Sequence, residues 1–214
     1  MKRNIIFIGM PAVGKSKVGF AVARRLRMKF IDTDILIKKQ EQRTLKEIIA
    51  EEGEEGFLAI ENQVNRDLKA FNAVISPGGS IVYCTEAMEH FKKIGTVVYL
   101  EASYDTIRSR IRSLTKRGVV LKEGQTFRKL YHERVKLYKQ YADVVINEDG
   151  NTIEDTIENV IKELRKYWHK KNHKHRHQRK KGHFYKNSIK TVKNEQISSD
   201  SDNNLKNRAV VKKP

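Results

Sequence analysis

GMPAVGKS, residues 9–16, joins an apolar run, Ile5 to Ile8, to a segment where Val18, Val22 and Leu26 recur on one helical face. The spacing G-x-x-x-x-G-K-S between a strand and an amphipathic helix is the arrangement that holds phosphate. Glycines at 9 and 14 let backbone N–H groups turn onto an anion, and a helix N-terminus adds partial positive charge. Lys15 is placed for the β- and γ-phosphates of a nucleotide, and the Ser16 hydroxyl for Mg²⁺. Gly9, Ala12, Val13, Gly14, Lys15, Ser16 and Lys17 are the candidate nucleotide contacts of this loop.

Outward from the loop, strands alternate with helices. Helix is predicted over Lys15 to Leu26, and Phe30-Ile31 forms a strand that ends on Asp32-Thr33-Asp34. Asp34 to Lys39 and Thr44 to Glu52 read as helices, the second capped by Thr44 with Glu47 three residues on. Gly53 and Gly56 bracket an acidic turn before a helix from Phe57 to Leu68. Ala73 to Ser76 is a strand that stops at Pro77-Gly78-Gly79, followed by a helix at Thr85 to Phe91 and a strand at Thr96 to Leu100. Helices at 103–112 (capped by Ser103), 127–141 and 152–167 flank a loop at 114–126 and a last strand at 144–146. Five strands in this alternation make an α/β domain, a parallel sheet layered by helices on both faces. Such sheets bind ligands beyond the carboxyl ends of their strands, so residues 9–16, 32–34 and 78–79 should meet at one edge.

Composition sets the boundaries. The 214 residues hold one such domain, with hydrophobic content of 38% for its core. One cysteine, Cys84, excludes an intrachain disulfide and points to a reducing, cytoplasmic setting. No run is long and apolar enough to cross a membrane, and MKRNIIFIGMP reads as a buried strand. The formal charge of +18 is concentrated near the end, where residues 165–214 carry 16 Lys and Arg against 3 Asp and Glu. We place a folded domain at 1–167 and a disordered Lys/Arg/His-rich tail at 168–214. Histidines at 169, 173, 175, 177 and 183 lie among cations that repel a metal ion, so weak, salt-sensitive contact with RNA or another polyanion suits the tail better.

The chain resembles the shikimate kinase family from about Asn4 to Leu164. The markers are GMPAVGKS, FIDTDILI, EEGEEGF at 51–57, the glycines of SPGGS, the Arg117 loop and ERVKLYKQYADVVI at 133–146. The resemblance implies a three-layer P-loop kinase fold with a five-stranded parallel sheet, like the nucleoside monophosphate kinases. It also implies MgATP-dependent phosphorylation of a ring hydroxyl of shikimate, in aromatic amino acid biosynthesis. Asp34 matches the carboxylate that orients the acceptor hydroxyl and takes its proton. Asp32 matches the acid near magnesium, and Arg117 the lid arginine over the transferring phosphoryl group. Arg110 matches the guanidinium that packs on adenine, and Arg134 the one that grips the substrate carboxylate. Gly78 and Gly79 fall in the acceptor-binding glycine run.

Departures from the family pattern fall mostly on the acceptor side. Gly56-Phe57 is followed by Leu58 where the family has arginine, so one carboxylate-binding cation is missing and Glu61 loses its ionic neighbour. A charge-assisted hydrogen bond is worth about 1.5–3 kcal/mol, or one to two decades in affinity. Pro77 replaces the first glycine of the run, and the lid reads Arg-Gly-Val-Val rather than Arg-Pro-Leu-Leu. We expect a cytoplasmic monomer that phosphorylates shikimate or a similar small hydroxy acid. Two alternatives stay open here: another small acceptor such as homoserine, and a nucleotide-binding scaffold whose tail binds polyanions.

Overall fold

The computed structural model describes residues 4–111 and 124–173, so Arg117 and the tail from 174 onward lie outside the described residues. Contacts divide the chain into one unit ending at Leu164 and a second from Arg165 to Pro214. In the first unit the strands β1 (Asn4–Ile8), β2 (Lys29–Asp32), β3 (Ala73–Ser76), β4 (Gly95–Glu101) and β5 (Val144–Asn147) form one five-stranded sheet in the order β2-β3-β1-β4-β5. Every neighbouring pair is parallel. β1 lies at the centre, with Ile6 beside Ile75 on one side and Val97 on the other. Helices cover both faces there, so the strand is buried throughout and carries no polar alternation. β5 closes one edge, and its residues Val145 and Asn147 reach solvent.

The helices are α1 (Lys15–Leu26), α2 (Thr33–Glu41), α3 (Leu45–Arg66), α4 (Thr85–Ile94), α5 (Tyr104–Arg110) and α6 (Phe127–Tyr141), with α7 over residues 153–173. A short 3-10 turn, Ile81–Tyr83, leads into α4. α1 approaches the sheet closely because Gly19 has no side chain: a Cβ there would lie 3.0 Å from Phe30. The predicted caps are present. Thr44 and Glu47 exchange side-chain and backbone hydrogen bonds in a capping box, and Ser103 Oγ accepts from the Thr106 N–H. α2 and α3 enclose a satellite core of Ile37, Ile48 and Phe57 beside the sheet's carboxyl edge.

Two expectations are corrected. No acidic turn spans Gly53 to Gly56; only Gly53 leaves helical geometry (φ 72°, ψ −174°), and 54–56 belong to one kinked α3. A single positive-φ glycine kinks the helix, while Glu54 and Glu55 are compatible with helix and continue it. The last helix passes its expected end at Tyr167 and includes 168–173, where Trp168 is followed by Lys, His and Asn that extend an established helix. Among the described residues no helix is long and apolar enough to cross a membrane.

Asn4 ties the amino ends of the sheet together. Its Nδ2 donates to the carbonyls of Ala70 (2.8 Å) and Ile94 (3.2 Å), and its Oδ1 accepts from the Ala73 N–H (3.0 Å). The residue is 2% exposed, so losing it strands buried backbone groups. Asn4→Ala should lower unfolding stability by about 2–4 kcal/mol in a denaturant titration. Nucleotide affinity of the folded fraction should be unchanged, since the phosphate loop leaves the opposite end of β1. A loss below about 0.5 kcal/mol would show that this tie is dispensable.

Candidate active site

The loop after β1 wraps a cavity of about 790 Å³ at the carboxyl edge of the sheet. Ala12, Val13, Gly14, Lys15, Ser16 and Lys17 line it, as the spacing predicts. Gly9 is not in the lining and holds the loop from beneath: it has φ 149°, and a Cβ would meet the Leu100 carbonyl oxygen at 2.6 Å. Backbone cannot yield there, so only glycine fits. Gly14 caps α1 in a left-handed conformation, leaving the helix N-terminus open to the cavity.

Lys15 is 9% exposed, and its Nζ donates to the carbonyls of Gly9 (2.8 Å) and Met10 (3.2 Å). These bonds point the ammonium along the loop. Burial pulls its pKa down to about 8, opposed chiefly by the Asp34 carboxylate, so the group stays cationic near neutrality. Ser16 Oγ donates to Asp32 Oδ2 at 3.0 Å and lies 3.4 Å from Ser76 Oγ. Asp32 Oδ1 caps α2 by accepting the Asp34 N–H at 3.1 Å. One aspartate thus both starts a helix and keeps an oxygen beside Ser16.

Asp34 enters the cavity from the first turn of α2. Burial raises its carboxyl pKa, with the Asp32 charge adding to the effect. Its Oδ1 is buried and without a hydrogen-bond partner, as is Glu61 Oε1. Both oxygens crowd Gly78: a Cβ there would lie 2.5 Å from Glu61 Oε1 and 3.1 Å from Asp34 Oδ1. The other Glu61 oxygen accepts from Ser80 Oγ at 2.6 Å. Gly79 abuts Pro11 of the phosphate loop, and its carbonyl accepts from Tyr138 Oη at 2.6 Å.

Arg134, on α6, is 4% exposed and lies outside the cavity lining. Its guanidinium carbon stands 5.3 Å from the centre of the Tyr83 ring, and its Nε is buried without a partner. Leu58 is half-buried one turn before Glu61, and its carbonyl accepts a weak bond from Cys84 Sγ at 3.5 Å. At the other end of the cavity Arg110 donates to the Val13 carbonyl (3.3 Å) and to Glu148 Oε2 (3.2 Å). Ile153 also lines this cavity.

Three participants escaped the sequence reading. Glu148 is 5% exposed and pairs with Arg110 beside Gly14. Its position after a short edge strand was the available signal, and nothing in its neighbours marks it as buried. Ser80 stands in the glycine run, and its hydroxyl could have been matched to Glu61. Tyr138 sits in the ERVKLYKQY segment, where helical spacing puts it on the face of Arg134.

A family model described as shikimate kinase matches residues 11–165. A shikimate kinase from Persephonella marina is 34% identical over 151 residues, covering 70% of this chain and 92% of that protein. Among solved structures, shikimate kinase from Acinetobacter baumannii in complex with shikimate superposes with TM-score 0.70 at 27% identity, covering 76% of this chain and 92% of that one. Shikimate kinase from Aquifex aeolicus gives TM-score 0.64 at 29% identity, covering 76% and 96%.

The crowding at Gly78 gives a direct test. Gly78→Ala should lower kcat/KM for the acceptor by about 10- to 100-fold, because the added methyl displaces the carboxylates that face it. The dissociation constant for a nucleotide analogue should change less than about threefold. Equal damage to both affinities would contradict this division of the cavity.

Proposed function

The chain belongs to the shikimate kinase family, and on that premise we propose that it transfers the γ-phosphoryl group of ATP to a ring hydroxyl of shikimate. The observation that carries the reading is the presence of the buried Lys15 ammonium and the Asp34 carboxylate in the lining of one cavity. One group suits phosphate oxygens and the other suits an acceptor hydroxyl.

In the proposed reaction the loop N–H groups and Lys15 hold the β- and γ-phosphates, so the transferring group needs little reorganisation. Asp34 accepts a hydrogen bond from the acceptor hydroxyl and takes its proton as the new O–P bond forms and the bond to ADP oxygen breaks. Its raised pKa makes it a stronger base than a surface aspartate. Arg134 pairs with the acceptor carboxylate, which would satisfy its orphan Nε–H or its forked terminal nitrogens. Arg110 offers a flat cation for the adenine ring, fixed by Glu148. Arg117, placed by sequence alone, would close over the phosphoryl group as the lid arginine. Gly78 and Gly79 supply the close-packed backbone that the acceptor rests on.

Magnesium fits the residues present. Ser16 Oγ and Asp32 Oδ2 form an oxygen donor pair of the kind this hard cation prefers, and these two would hold it. Bound there, it would supply charge neutralisation on the β- and γ-phosphates. A monomer suffices, because one chain builds the whole cavity. The single cysteine suits a reducing cytoplasm, and the basic tail suits weak, salt-sensitive contact with polyanions.

Asp34→Asn tests the proposal. It keeps shape and removes the base, so kcat with shikimate should fall by about 10²- to 10⁴-fold while nucleotide affinity is retained. The measurement is shikimate-dependent ADP release. Undiminished turnover would remove Asp34 from the chemistry.

A further inference from the structure

Glu61 is the one carboxyl group in the described acceptor region for which the reaction above has no use. It is fully buried on α3. Ser80 Oγ satisfies one oxygen, and the other has no partner. No cation touches it within salt-bridge distance among the described residues. Leu58, one turn earlier on the same face of α3, is hydrocarbon. A buried carboxylate without a paired cation is held far more cheaply as the neutral acid.

The surroundings sharpen this. Asp34, from α2, meets Glu61 across Gly78 and must be ionised to act as a base. Lys15, from α1, and Arg134, from α6, face the same region, but Lys15 is engaged with loop carbonyls and Arg134 is needed by an acceptor carboxylate. Tyr138, the Cys84 thiol and the Ser80 hydroxyl complete the facing groups, and none carries positive charge. Glu86, from α4, is turned outward and pairs with Arg66. An ionised Glu61 would therefore put a second negative charge beside the place where an anionic substrate must enter.

We propose that the acceptor carboxylate and the ionised form of Glu61 exclude one another, so that a proton on Glu61 sets the affinity for the acceptor. Burial pushes this carboxyl up to about 7, against the pull of the Ser80 hydrogen bond, which puts the change near neutral pH. Above that point, binding one acceptor anion draws one proton from solvent onto Glu61, and the same proton leaves when the product departs. Glu61 is a positioning and specificity residue in this account, not a proton donor to the reaction. The inference rests on the shikimate reading, since it requires an anionic acceptor.

The test is the pH dependence of shikimate KM at saturating MgATP from pH 6 to 8.5, with proton uptake on shikimate binding measured by calorimetry in buffers of different ionisation enthalpy. In the wild-type chain KM should rise by up to about tenfold per unit above pH 7, with kcat less affected and proton uptake approaching one. Glu61→Gln should flatten the KM profile and abolish the uptake. If that variant does not fold, Leu58→Arg gives the second arm: a cation beside Glu61 should keep it ionised and paired, lower KM and remove the rise. A pH slope and proton uptake unchanged in either folded variant would overturn the inference while leaving the acceptor assignment standing. No shikimate turnover by the wild-type chain even at pH 6 would overturn both.

Discussion

Three buried ionisable side chains, Lys15, Glu61 and Arg134, and the half-buried Asp34 gather at the carboxyl edge of the sheet, and the rest of the molecule serves that placement. Burial disfavours every one of these charges alone. Together they offset one another in part: Lys15 and Asp34 open α1 and α2, while Glu61 and Arg134 project from within α3 and α6. β1 delivers Lys15 through the glycine loop, β2 delivers Asp34 through the cap of α2, and β3 delivers Gly78, which separates two carboxylates. Parallel strands make this possible because all their carboxyl ends lie on the same side.

The fold was legible where local chemistry and tertiary packing agree. Ile5 to Ile8 could be read as a central strand because both faces are covered, and the caps at Thr44 and Ser103 because side-chain oxygens bond the nearest free N–H groups. α1 has its predicted bounds because the glycine loop starts it and left-handed Arg27 ends it. The reading failed at 53–56, where two glycines suggested a turn and only one leaves the helix. It also stopped α7 early, because the stretch after Trp168 is basic and polar and carries no periodic signal even when helical.

The site divided along another line. Gly9 and Lys15 could be named from a fixed spacing in the chain, and Asp34 from the resemblance to a family. Glu148 and Tyr138 could not, because their importance comes from burial against partners far away in sequence: Arg110 and the Gly79 carbonyl. The replacement at Leu58 was visible at once, but its consequence needed coordinates. Ser80 takes one Glu61 oxygen and no cation takes the other, so the missing arginine is compensated only halfway. At the phosphate-loop end Ala12 to Lys17 and Arg110 line the cavity while Gly9 lies beneath it, and at the other end Leu58 leaves Glu61 without a cation within salt-bridge distance among the described residues.

The central claim is that this cavity passes phosphate to a ring hydroxyl and not to water. Phosphorus-31 NMR of the full chain with MgATP and shikimate follows the donor and every phosphorylated product in one sample. The account predicts that ATP signals give way to ADP and, in equal amount, to a phosphomonoester that appears only with shikimate present. ADP accompanied by inorganic phosphate alone would contradict it.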